Sequence, residues 1–146
     1  MQRPETAGDL QQFLCAVNWM RSGIPNYAQE TGSLQALLLS LTAKHGAKKA
    51  QLTKVALGTD LWTSTMQSAF DNIKRLIAHR VELTHLDPAQ SLCLHTDASD
   101  HYWAGVLTQV PPEDLAKPQQ AQRHSPLAFI SGAFKNALYR LSLIHI

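Results

Sequence analysis

The feature that most constrains this chain is one change in the spacing of its apolar residues. Up to His79 they recur at intervals of three and four; beyond it they alternate, or run together in short stretches between turn-forming residues. The first spacing fits a helix with one buried stripe. The second fits strands, whose successive side chains point to opposite faces. A chain with both, in that order, is expected to be α+β: a helical N-terminal segment followed by a sheet. Its 146 residues suffice for one ordinary domain or two small units.

In the helical part, Thr6-Ala7-Gly8-Asp9 reads as a capping box. Leu10, Phe13, Leu14, Val17 and Met20 then share a face, so the spacing predicts a helix over about Ala7 to Arg21, ended by Gly23 and Pro25. Ser33 offers a cap for a second helix carrying Leu34, Leu37, Leu38 and Leu41, which Gly46 closes. The stretch 47–60 has weak periodicity and reads as a connector with a short ordered piece around Leu52 to Leu57. The clearest stripe is Trp62, Met66, Ala69, Phe70, Ile73, Leu76 and Ile77, capped by Thr63 or Ser64. Trp62 and Phe70 keep step with their aliphatic neighbours, which makes them core residues rather than platforms for bases.

Past Asp87-Pro88, three strands are expected: Leu92 to Asp97, Trp103 to Val110, and Leu127 to Ser131, the last stopped by Gly132. The short link between the first two favours an antiparallel meander. The segment Pro111 to Ser125, rich in Pro, Gln and charge, is expected to be an exposed loop.

A net charge of +2 permits nucleic-acid contact without requiring it. Its distribution says more. No acidic residue lies between Thr31 and Thr59, where Lys44, Lys48, Lys49 and Lys54 accompany His45. These lysines can touch phosphates, or they can form a solvated face. Cys15 and Cys93 are far apart, so neither a disulfide framework nor a clustered zinc site is suggested, and a reducing, intracellular setting in cytoplasm or nucleus is expected. The N-terminal residues lack the apolar core of a signal peptide, and no stretch approaches the roughly 20 apolar residues of a membrane span.

Asp97 ends the first strand, followed by the small residues Ala98 and Ser99. A carboxylate there projects into a cleft from a fixed backbone, which suits a Mg²⁺ ligand; an Asp at a strand end also serves as a turn former capping a nearby N–H. His85, His95 and His101 have no tidy ligand spacing, so surface or hydrogen-bonding roles are expected of them.

The run His95-Thr96-Asp97-Ala98-Ser99, then Ala104-Gly105-Val106-Leu107-Thr108-Gln109, resembles the first hairpin of the ribonuclease H domain in gypsy-type long terminal repeat retrotransposons. Pro126-Leu127-Ala128-Phe129-Ile130-Ser131 resembles that family's third strand. Upstream, Asp9 to Leu14, Val17 to Arg21 and Ile24-Pro25-Asn26-Tyr27 resemble the helix and turn closing the reverse transcriptase thumb, and Trp62, Gln67, Ala69-Phe70 and Ile73-Lys74 fit the connecting helix. The similarity covers nearly the whole chain in the family's order.

This resemblance implies a piece of a pol polyprotein: residues 1–45 as the end of the thumb, 46–61 as a connector, and 62–140 as the connection helix with the N-terminal half of an RNase H-like domain. The implied parent copies RNA into DNA and cuts RNA in RNA–DNA hybrids. It would use Mg²⁺ held partly by Asp97, with RNA–DNA hybrid or DNA and the rest of the polyprotein as partners. The family's other carboxylates fall outside this sequence, so the chain itself is expected to be catalytically incomplete. Cys15 stands where the family has Gly, Trp19-Met20 where Tyr-Tyr is frequent, and Tyr102-Trp103 where the hairpin turn is usually smaller. A domesticated, non-enzymatic module binding nucleic acid or protein is the alternative. Leu141 to Ile146 coincide with a translated sequencing-library adapter and are expected not to be native.

Overall fold

The computed structural model describes residues 2–134. The adapter-like 141–146 therefore lies outside the described residues. Four helices, α1 (Ala7–Trp19), α2 (Tyr27–His45), α3 (Lys49–Leu52) and α4 (Ser64–Ala78), precede three strands, β1 (Ser91–Ala98), β2 (Tyr102–Val110) and β3 (Ser125–Ala133). The chain divides into two compact units. One comprises the residues up to Met20 with Gln29–His79; the other comprises Arg21–Ala28 with the chain from Arg80 onward.

In the helical unit the capping box forms as its sequence suggests. The Thr6 hydroxyl accepts from the Asp9 N–H at 3.2 Å, and the Asp9 carboxylate accepts from the Thr6 N–H at 3.0 Å. The Thr6 hydroxyl, with the backbone N–H of the same residue, holds the Asp9 carboxyl below its ordinary range. From α1, Leu10, Phe13, Leu14 and Val17 are buried; from α2, Leu34, Leu37 and Leu41; from α4, Phe70 and Ile73. Phe13 and Phe70 meet with ring centroids 4.7 Å apart, and Trp62 lies edge-on to Phe70 at 5.9 Å, so both aromatics of the connecting stripe are core. The Trp62 indole N–H donates to Gln67 Oε1 at 2.8 Å, which satisfies its polar edge.

One local expectation in this unit needs correcting, and one is met. The second helix starts at Tyr27, six residues before the expected Ser33 cap, because Thr31 is buried like its apolar neighbours although it contributes nothing to an apolar count. The stretch 46–61 has the short ordered piece expected around Leu52 to Leu57: Leu52 and Leu57 are buried, the Ala7 N–H donates to Val55 O at 2.9 Å, and the Leu57 N–H donates to Glu5 O at 2.7 Å. Periodicity is weak there because single leucines, not a stripe, plug the core. Gly8 permits the approach, since a Cβ on it would come within 2.7 Å of the Thr53 side chain.

The sheet unit is the expected antiparallel meander, in the order β1-β2-β3. β3 runs through both Pro126 and Gly132. Pro126 is tolerated because β3 is at the sheet's edge, next to a register shift at Leu107/Thr108. Gly132 is paired with Trp103, and a Cβ there would fall 2.7 Å from the indole, so the missing side chain makes room for the ring. Along β1, Cys93 and His95 lie on the more covered face, whereas Leu92 and Leu94 are 57% and 59% exposed. Trp103 and Ile130 lie on that same open face.

The segment 111–124 is not the open loop its composition suggests. It contains two short 3-10 turns and buries Asp114 completely. The Asp114 carboxylate accepts from Arg123 Nε at 2.7 Å, the Arg123 backbone N–H at 3.0 Å and Lys117 Nζ at 2.6 Å. Those donors hold its carboxyl far below the ordinary range.

Candidate nucleic-acid and metal site

Asp97 is fixed from three directions. β1 holds its backbone opposite Ala104, the Thr96–Gly105 pair precedes it, and the following turn is closed by the Ser99 N–H donating to Tyr102 O at 2.8 Å. The side chain is exposed. One oxygen, Oδ1, accepts from the Ala98 N–H at 2.9 Å, which is the turn-forming contact weighed above. The other has no hydrogen-bond partner among the described residues. Asp97 lines a cavity of about 220 Å³ whose walls include Pro25, Val106 and Phe129 and whose rim includes Asn26 and His95.

Several other polar groups of the sheet unit are already engaged. His95 Nδ1 is 2.9 Å from Gln119 Nε2, which can only donate, so that ring nitrogen accepts. His124 Nδ1 is 2.9 Å from the Thr108 hydroxyl, and the two imidazoles meet edge to face at 4.9 Å. Asp87 accepts from Ala89 N–H and the Gln90 side chain, closing its own turn. Asp100 is exposed in the hairpin turn. Among the described residues no three His, Cys, Asp or Glu side chains converge on one point. A pair of divalent ions about 4 Å apart requires several carboxylates. These residues alone do not fit one.

The four lysines belong to the helical unit. Lys44 is in the last turn of α2, Lys48 and Lys49 open α3, and Lys54 follows it. All are exposed and none forms a salt bridge with a described residue, although Lys49 adds to the field that lowers the Asp9 carboxyl. Sequence reasoning missed Asn26, treating its segment only as a thumb-closing turn. The Pro25-Asn26 dipeptide was the available signal, since Asn accepts the left-handed backbone such a turn demands.

This arrangement, a meander with an aspartate at the end of its first strand, places the chain in a class. Residues 62–145 match the family described as the RNase H-like domain found in reverse transcriptase, and the chain belongs to that family. Among curated proteins it is similar to the Tf2-3 and Tf2-4 transposon polyproteins of Schizosaccharomyces pombe, with 33% identity over 117 residues, 80% of this chain. The chain spans about 8% of the length of those relatives. The resemblance to a retrotransposon pol polyprotein is thereby borne out. In fold it is similar to the foamy viral protease-reverse transcriptase in complex with dsDNA, at a TM-score of 0.66 and 20% identity, covering 96% of this chain and 24% of that one. The same viral protein in complex with RNA/DNA hybrid gives a TM-score of 0.64 at 21% identity, covering 95% and 16%. No helix among the described residues is long and apolar enough to cross a membrane.

Proposed function

We propose that this chain works within a reverse transcriptase/ribonuclease H polyprotein, contributing Asp97 to a Mg²⁺-dependent site that cuts RNA in RNA–DNA hybrids during RNA-templated DNA synthesis. The observation that carries this reading is the Asp97 carboxylate, held by the sheet at a strand end with one oxygen unengaged beside an open cavity. In this reading residues 1–45 close the thumb, 46–61 connect, and 62–140 form the connection helix and first half of the RNase H-like domain. Lys44, Lys48, Lys49 and Lys54 contact phosphates, and the rest of the polyprotein supplies the further carboxylates. The setting is the cytoplasm or nucleus, where such hybrids are made. Bound Mg²⁺ would supply charge stabilisation at the scissile phosphate. The protein's own part is orientation: pairing with β2 fixes the Asp97 backbone, and the Ala98 N–H fixes the carboxylate plane.

The lone carboxylate favours a second reading for the chain by itself, a binding module without catalysis. A hybrid-cleavage assay separates the two. The 146-residue chain should not cut. A version extended with the polyprotein sequence that follows should cut with Mg²⁺, and Asp97→Asn in it should lower the rate by at least roughly 100-fold, since a neutral amide replaces a charged ligand. Asp100→Asn should change little. Full activity of the extended Asp97→Asn protein would remove Asp97 from the site.

A further inference from the structure

The turn before α2 brings a second polar group to the cavity beside Asp97. Among the described residues Asn26 is the non-glycine residue with positive φ, at 53°. Asn adopts this conformation more readily than most residues, but it persists only where the surroundings fix it. Here they do. Ile24 is buried and its N–H donates to Arg21 O at 3.1 Å, while the Ala28 N–H donates to the Ser131 hydroxyl of β3 at 2.9 Å. The turn is therefore pinned to the same sheet that carries Asp97. The Asn26 side chain is exposed, and its amide has no partner among the described residues.

The cavity thus has a polar rim with two unused capacities and an apolar interior. Asn26 can donate and accept, Asp97 has one unengaged oxygen, and Pro25, Val106 and Phe129 line the wall. At about 220 Å³ it is smaller than the roughly 300–1,000 Å³ of sites that enclose a drug-sized ligand. That size suits one sugar rather than a whole nucleotide. A ribose presents apolar C–H faces and a 2′-hydroxyl that both donates and accepts, and that hydroxyl is what distinguishes RNA from DNA. Resting on the reading of Asp97 given above, we propose that Asn26 is a specificity-determining residue that hydrogen-bonds a ribose 2′-hydroxyl in this cavity. A deoxyribose in the same place leaves the Asn26 amide desolvated and unpaired, so DNA is disfavoured.

The test is fluorescence anisotropy on the full chain, with a labelled RNA–DNA hybrid and a DNA duplex of the same sequence in Mg²⁺-free buffer. The hybrid should bind more tightly by roughly 2- to 10-fold, the range of one hydrogen bond. Asn26→Gly keeps positive φ available, so the fold should hold, but the affinity ratio should fall to near one. The Lys48→Ala/Lys49→Ala double variant should weaken both ligands alike and preserve the ratio, because phosphates carry no sugar information. Equal wild-type affinities, a hybrid preference kept by Asn26→Gly, or a uniform loss in that variant with a lower Tm would each overturn the role of Asn26 and leave the proposed function standing. No binding of either duplex would overturn the nucleic-acid reading as well.

Discussion

The helical unit and the sheet unit bury their apolar residues to different extents. In the helical unit Leu10, Phe13, Leu34, Phe70 and Ile73, drawn from three helices, are all buried. In the sheet unit Val110 and Ile24 are buried, but Leu92, Leu94, Trp103 and Ile130 are exposed on one face. A helix has one stripe to cover and neighbouring helices can cover it, whereas a sheet has two faces and needs a layer on each. The helical unit therefore closes a core between its helices, although Trp19 and Leu39 stay exposed outside it, and the sheet unit leaves one face open.

The largest effect that tests this contrast is truncation in the closed core. Phe70→Ala should lower the stability of the helical unit by about 3–5 kcal/mol, as deleting a buried aromatic does, while Leu94→Ala on the open face should stay within about 0.5 kcal/mol. Urea titration of both variants decides it. A similar cost at both positions would mean that the open face is covered, and the contrast would fail. Next in size is Gly132→Ala, which drives a Cβ into the Trp103 indole and should cost about 1–3 kcal/mol. Gly58→Ala, with nothing within 4 Å of its Cβ, serves as the neutral partner in the same titration.

The sheet unit's tightest polar contact sharpens the comparison through pH. Arg123 and Lys117 lower the folded-state carboxyl of Asp114, so its contribution is complete above the ordinary carboxylate range and is lost as pH falls below it. The protection factors of the amides in residues 115–123, which are exchange rates corrected for the intrinsic pH dependence, should be unchanged from pH 7 down to about pH 5 and should fall only below about pH 4. Asp114→Asn should lower them at neutral pH. Fast exchange at pH 7 in the unmodified protein would show that the pair does not hold the loop. The smallest effect is expected at the helical unit's surface: each of Lys44, Lys48, Lys49 and Lys54 that meets a phosphate should, when changed to Ala, reduce the slope of log affinity against log salt by roughly 0.9. An unchanged slope in the fourfold variant would return these residues to a solvated face.

Much of the fold was legible because its signals are local. The Thr6–Asp9 box, the Thr63 cap and the three strands follow from short-range spacing, and each formed within a few residues of its expected place. What was not legible depends on contacts far along the chain. Thr31 is buried by tertiary packing that no periodicity reports, and Asp114 gains its partner nine residues away, in a segment whose composition points to solvent. At the site, Asp97 was found by motif. Asn26 was not, because only the fold brings residue 26 to the cavity that residue 97 lines.

The open face of β1, β2 and β3 also governs how molecules of this protein treat one another. Four large apolar side chains lie on one side of a three-stranded sheet, and β1 keeps its outer edge unpaired among the described residues, whereas β3 is engaged along its edge by Thr84 and Ala28. Apolar surface beside a free strand edge favours pairing between copies, and a net charge of only +2 opposes it weakly. Concentration, more than temperature, then sets how long the chain stays in solution, and its colloidal lifetime should end well before its helices melt.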